Sequence, residues 1–178
     1  KIITMPVIAL RGLTMLPEMT ISFDISRKKS IAAVEKAMVC DQRVCLVAQK
    51  DPEIMDPSLD QLYHIGTVSY IKQLVKMPGG IVRVMAEGQE RAELLDLDST
   101  EPSLMGEVLF TQEQEADVDG AAAEAMSRIL KEKLESYGHQ HPKFAKEILP
   151  GMMVCEDLES LMLKMASDLP WDYRIRQA

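Results

Sequence analysis

Apolar positions fall at two spacings along this chain, and the first territory is strand-like. "MPVIAL" (residues 5–10) and "MTISFDI" (19–25) read as two strands, and "RVCLVAQ" (43–49) is apolar at both parities, with Val44, Leu46 and Ala48 alternating with Cys45 and Val47. A strand apolar on both faces belongs in the middle of its sheet. The longest signal is "HIGTVSYIKQLVKMPGGIVRVMAEGQERAELLDL" (64–97), where Pro78-Gly79 supplies the fixed φ and then the positive φ of a type II turn. This predicts a long hairpin. Alternation over Val82, Val84 and Ala86 breaks at Gly88 and resumes out of phase at Ala92 and Leu94, the pattern of a bulge that bends a strand round a barrel corner. A small, strongly curved barrel is expected.

Helical spacing first appears in "SRKKSIAAVEKAMVCD", through Ile31, Val34 and Met38, with Ser26 as the expected N-cap. The cluster Arg27-Lys28-Lys29 reads as a solvated helix start, with a phosphate site as the sharper alternative. A second territory opens at "EQEADVDGAAAEAMSRILKEKLESYG". There Met126, Ile129, Leu130, Leu134 and Tyr137 mark one helical face, Arg128/Glu132 and Lys131/Glu135 are spaced to pair, and Gly138 fits the C′ position. "PKFAKEIL" predicts a short helix between Pro142 and Pro150, and "VCEDLESLMLKMASDL" another through Val154, Leu158, Leu161, Met162, Met165 and Leu169. Pro170 ends it, and Trp171 to Ala178 would begin one more, truncated. The expected boundary lies in 111–120, giving a barrel domain over 1–113 and a helical bundle over 114–178.

The connection "RGLTMLPE" breaks the pattern, because it carries Leu13, Met15 and Leu16 where surface loops are polar. Two destinations are open. The side chains fold under the loop as core, or part of the loop presents an apolar surface to other chains. The composition of 47% hydrophobic residues supports a packed core, and 20 Lys plus Arg against 28 Asp plus Glu disfavour polyanionic partners. Cys40, Cys45 and Cys155 are odd in number and form no C-x-x-C pair, which predicts a reducing, cytoplasmic setting. No apolar run of about 18 residues appears, so no membrane contact is expected. The Lys at position 1 and the uncapped "WDYRIRQA" suggest a segment of something longer.

Catalytic patterns are missing. "EADVDG" (115–120) opens like a calcium loop, but its twelfth position falls on Met126, so Asp117 and Asp119 are expected as acids at a helix start. His139 and His141 lie two apart without a metal-ligand partner, and His64 has no nucleophile in view. Neither G-x-S-x-G, H-E-x-x-H nor a P-loop occurs. No metal or cofactor is expected in these residues.

Four ordered blocks carry a family resemblance: L-R-G-x-x-x-x-P on Leu10 to Pro17, A-Q-K-D on Ala48 to Asp51, L-Y-x-I-G-T on Leu62 to Thr67, and E-G-x-x-R on Glu87 to Arg91. Together they resemble the amino-terminal domain of the bacterial ATP-dependent Lon proteases, most strongly over residues 5–110. The resemblance implies an α+β fold, a PUA-like β pseudo-barrel with one helix followed by an α-helical bundle. It implies a non-catalytic segment ahead of an ATP-dependent motor and a Ser-Lys serine protease domain. ATP and magnesium would belong to those domains. Expected partners are unfolded or tagged polypeptide substrates and the other subunits of a homohexamer, not nucleic acid. The competing classes are a PUA-like RNA-binding module, which would need a basic face with stacking aromatics, and a small-ligand pocket in the barrel mouth. Thirteen methionines and 4% aromatics fit an adaptable apolar surface better than a stacking platform, and although burial of the loop residues as core is the commoner outcome, Leu13, Met15, Leu16 and the turn residue Met77 are the candidate substrate contacts.

Overall fold

The computed structural model describes residues 1–100, 102–111, 119–170 and 172–177. Among them run six strands: β1 (Ile2–Leu10), β2 (Thr20–Ile25), β3 (Arg43–Ala48), β4 (Ile65–Met77), β5 (Ile81–Asp98) and β6 (Met105–Phe110). They form one sheet in the order β2-β5-β4-β3-β1-β6, and an additional β5–β6 pairing closes the last five on themselves. β2 lies on β5 outside that ring. The β1–β3 pair is parallel and needs a long crossover, which β2 and helix α1 (Lys28–Met38) supply.

β3 is buried along both parities, as its sequence predicts. Its even residues Val44 and Leu46 join Ile8, Ile71, Val84 and the α1 residues Ala33, Val34 and Ala37 in one buried cluster. Its odd residues Cys45 and Val47 join Val7, Val68, Ala92, Leu94 and Val108 in a second on the opposite face. The hairpin turn places Gly79 and Gly80 at φ +81° and +75°, the left-handed values that a side chain resists.

The break at Gly88 is a register shift: Val68 pairs with Glu90 while Ser69 pairs with Gly88. Gly88 is there for a second reason. A Cβ at this position would stand 2.2 Å from the carbonyl oxygen of Leu16, because the 11–18 loop crosses β5 at this point. Glu18 N–H donates to the Gly88 carbonyl (3.0 Å) and Gly88 N–H to the Met19 carbonyl (2.7 Å), fastening the loop where β2 begins.

Helix α1 departs from expectation at its start. Arg27, not Ser26, occupies the N-cap position and makes no side-chain cap. Its half-buried guanidinium donates to Gln49 Oε1 (2.8 Å) and to the Ala9 carbonyl (2.5 Å). Gln49 is fully buried and turns its amide to the Asp51 and Ile54 carbonyls (3.1 and 2.9 Å). Lys29 pairs with Asp56 (2.8 Å). Arg27 is thus tied into the fold, while Lys28 is exposed and the Lys29–Asp56 pair lies at the surface, so the reading of a solvated helix start holds for the two lysines and not for Arg27.

The chain divides into two compact units, one of residues 1–112 with 173–178 and one of 113–172. In the first, the short helix α6 (Tyr173–Gln177) rests against strand-unit backbone: Thr14 Oγ1 donates to the Tyr173 carbonyl (2.8 Å) and Gln177 Nε2 to the Ile65 carbonyl (2.6 Å). The sequence reading had assigned these residues to the bundle.

The second unit holds α2 (Gly120–Gln140), α3 (Pro142–Glu147), α4 (Leu149–Met153) and α5 (Leu158–Asp168) around Leu134, Phe144, Met152 and Leu161. Asp119 caps α2 as expected, accepting from Ala121 N–H (3.4 Å), whereas Glu115 and Asp117 lie outside the described residues. Four expectations are corrected. The buried face of α2 runs through Ser127, Leu134 and Gly138, leaving Met126, Ile129 and Tyr137 about half exposed. Gly138 sits inside α2 rather than beyond it, where a Cβ would stand 3.1 Å from Leu149 Cδ2 and 3.3 Å from Ala145 Cβ. Val154 is exposed and precedes α5, whose N-cap is Asp157, accepting from Ser160 N–H (2.7 Å). Lys131 donates to the Cys155 carbonyl (2.5 Å) rather than to Glu135.

Since the Gly88 contact is with backbone, a methyl there forces the loop and β5 apart. Gly88→Ala is expected to cost about 1–3 kcal/mol, the usual range for overpacking, read as a lowered urea midpoint with unchanged slope. A midpoint equal to that of the parent chain contradicts this crossing.

Candidate functional site

The reactive side chains have structural settings. Cys45 is buried between strands, and burial pushes its thiol up to about 12, which leaves no thiolate at neutral pH. His141 stacks on Tyr137 (3.9 Å between ring centroids), and its Nδ1 lies 3.0 Å from the Tyr137 carbonyl. Among the described residues no group of three His, Cys, Asp or Glu is placed to hold a metal ion. The surface offers a polar recess of about 410 Å³ walled by Lys36, Asp96, Asp98 and Glu107, and several apolar areas.

The 11–18 loop divides its three apolar side chains between core and surface. Met15 is 3% exposed and packs with Ile8, Leu46, Ile71 and Val84, while its carbonyl accepts from buried Thr67 Oγ1 (2.8 Å). Leu13 is 40% exposed. Leu16 is half-buried on the wall of a recess of about 300 Å³, shared with Met15, Pro17, Ile65, Thr67 and Arg91. Met15 therefore belongs to the core and reaches the floor of the recess only with its small exposed remainder. Its backbone neighbours explain why: with its carbonyl held by Thr67 and the next one pressed on Gly88, the loop has no slack to turn Met15 outward.

Met77 lies elsewhere. The loop meets β5 at Gly88, and Met77 pairs with Ile81, seven positions along the same strand or roughly 23 Å at about 3.3 Å per residue. Strand parity decides its company. Leu74 pairs with Val84 and turns to the core with it, so Val75, Met77 and Ile81 fall on the opposite face, continuous with half-buried Met85. Val75 and Ile81 are 39% and 37% exposed. Two ion pairs border this strip, Arg83 to Asp24 on β2 (2.8 Å) and Lys72 to Glu87 (2.5 Å). An apolar strip rimmed by charge is the usual form of a binding surface. The sequence reading named Met77 but not Val75 or Ile81. The missing step was parity: once Val82, Val84 and Ala86 are assigned inward, residues 75, 77 and 81 must point out.

The helical unit has an apolar surface of its own. Leu130, Lys133, Leu134, Tyr137, Phe144, Met165, Leu169 and Pro170 line a groove of about 380 Å³, in which Tyr137 meets Phe144 edge-on (4.9 Å). Leu134 and Phe144 belong to the helical core and Leu130, Met165 and Leu169 pack against it, as expected of an apolar helical face, whereas Tyr137 is half exposed.

Comparison with known proteins accounts for the whole chain. Residues 4–178 match the family model described as the ATP-dependent protease La (LON) substrate-binding domain. Over 173 residues, 97% of this chain, it is 36% identical to a Lon protease of Lachnoclostridium phytofermentans, of which it covers 21%. It is 32% identical over 174 residues to the Lon protease of Haemophilus influenzae, covering 98% of this chain and 21% of that protein. The chain thus spans about a fifth of the length of the curated relatives it matches. Its fold is similar to the N-terminal domain of the Mycobacterium avium complex Lon protease, with a TM-score of 0.76, 19% identity, and coverage of 98% of this chain and 87% of that one. The Lon N-terminal domain protein from Xanthomonas campestris superposes with a TM-score of 0.67 at 15% identity, over 98% of this chain and 87% of that one.

The loop's two environments predict opposite outcomes for one chemical change. Met15→Ser removes a buried thioether and buries a hydroxyl, so it is expected to cost about 2–5 kcal/mol. Leu13→Ser is expected to shift stability by less than about 1 kcal/mol. Thermal melts of both variants check this, and equal losses contradict the placement.

Proposed function

The chain belongs to the family of ATP-dependent protease La (LON) substrate-binding domains, and from this we propose that it is the non-catalytic amino-terminal part of an ATP-dependent Lon serine protease, engaging unfolded or tagged polypeptides for degradation. The observation that carries the reading is the outward strip of Val75, Met77 and Ile81 at the hairpin tip. Unfolded chains share exposed apolar side chains whatever their sequence. An apolar strip on a rigid strand pair suits such partners, and methionine adapts to many of them. Leu13 and Leu16 are accessible as an accessory surface; Met15 is not.

In this proposal the closed sheet is of PUA-like type and the two domains meet in 111–120. ATP and magnesium act in other domains of the parent protein, which works as a homohexamer in the cytoplasm with this segment helping to organise the ring. The chain alone is then expected neither to hydrolyse ATP nor to cleave casein, and turnover that survives purification contradicts this.

Each of Val75→Ser, Met77→Ser and Ile81→Ser is expected to weaken capture of a chemically unfolded protein about five- to tenfold, since burying half of such a side chain contributes roughly 1 kcal/mol. Melting should stay within about 0.5 kcal/mol of the parent. Because the contact is mainly apolar, raising salt should weaken capture by no more than about fivefold, the worth of one exposed ion pair. Unaltered capture by all three variants, or capture abolished by salt, contradicts the assignment.

A further inference from the structure

β4 is longer than its neighbour on one side. β3 follows it only to the Arg43–Tyr70 pair, and the ladder ends where Ile71 N–H donates to the Gln42 carbonyl (2.8 Å). Gln42 has φ +60°, a left-handed residue that turns the chain out of the sheet, and the Tyr70 hydroxyl is hydrogen-bonded to its side chain. Past this point β4 continues through residues 72–77 with β5 on one side, and among the described residues no strand pairs with its other side. Lys72, Gln73, Val75 and Lys76 are exposed.

We propose that an extended segment of a substrate polypeptide pairs with this open edge of β4 over residues 73–77, adding a strand to the sheet; the inference rests on the function proposed above and specifies how that surface binds. An open edge offers a row of backbone N–H and C=O groups that any extended chain can satisfy, which gives affinity without sequence readout. Position beside the apolar strip defines the occupant. A strand laid on this edge sets alternate side chains next to Val75 and Met77, and the intervening ones next to Leu74 and Lys76 on the other face. The fitting segment has apolar residues at every second position and an acidic residue opposite Lys76.

The edge is also guarded against pairing with itself. A register shift between Ile71 and Gln73 interrupts its start, and exposed Lys76 would bring a like charge to the seam with a second copy. An unfolded chain carries no such fixed repulsion.

The test uses the whole 178-residue chain and three synthetic ten-residue peptides: an alternating apolar–polar parent with one Asp, and two forms N-methylated at alternate amides along one edge or the other. N-methylation removes donors and blocks pairing on one edge only. One methylated form should bind about tenfold more weakly than the parent or worse, and the other within about twofold of it. The parent should slow hydrogen exchange of amides in 73–77. Equal binding by all three peptides overturns the edge pairing while leaving apolar capture intact. A parent peptide that does not bind, together with unfolded-protein capture insensitive to Val75, Met77 and Ile81, overturns both readings. Edge-to-edge dimers of the chain that the parent peptide does not disperse assign the edge to a second copy and overturn the proposal.

Discussion

β5 has three partners, and a strand has two edges. Its eighteen residues resolve this by length: 82–87 hold β2, 92–98 hold β6, and β4 runs along the other edge from residue 81 to residue 93, beside all of the first part and only the start of the second. One strand can serve both only if it bends between them. The shift at Gly88 supplies that bend, a further one between Leu94 and Asp96 adds curvature within the β6-paired part, and the sheet closes. The rest of the strand unit follows from this division. The upper part of β5 belongs to the ring, the lower part to a hairpin that runs past it, and the hairpin is where the surface becomes apolar and the sheet edge opens.

The loop crossing at Gly88 holds the two parts in register. Its Leu16 carbonyl occupies the space a side chain would take, its Met15 side chain enters the core, and its end becomes β2. A loop that looks from composition like a binding element is mainly a structural clamp, with Leu13 alone well exposed among its large apolar residues. The same economy governs the basic start of α1, where Arg27 ties Ala9 and Gln49 together instead of facing a ligand.

Period-two alternation made much of the sheet legible: the double-sided burial of β3, the turn at Pro78-Gly79 and the break at Gly88 were all readable as local patterns. Ring closure was not, because the β1–β6 and β5–β6 pairings join residues far apart in sequence and leave no local mark. Loop residues lack periodicity, so nothing in "RGLTMLPE" separates Met15 from Leu13. The exposed end of α2 was hidden for a different reason. Its 21 residues span about 31 Å, whereas α3, α4 and α5 have 6, 5 and 11, too short to cover it. Periodicity marks an apolar face but not the length of what covers it, so Met126 and Ile129 read as core and emerge on the surface.

The central claim is that substrate chains meet this segment at the outward face and edge of the β4–β5 hairpin. Amide chemical-shift mapping during titration with an isotopically silent unfolded protein tests it most directly. The account predicts the largest changes at residues 73–85, with Leu13 and Leu16 affected less and the Met15 environment unmoved. Changes confined to the helical groove around Leu130, Tyr137 and Phe144, with the hairpin silent, would contradict it.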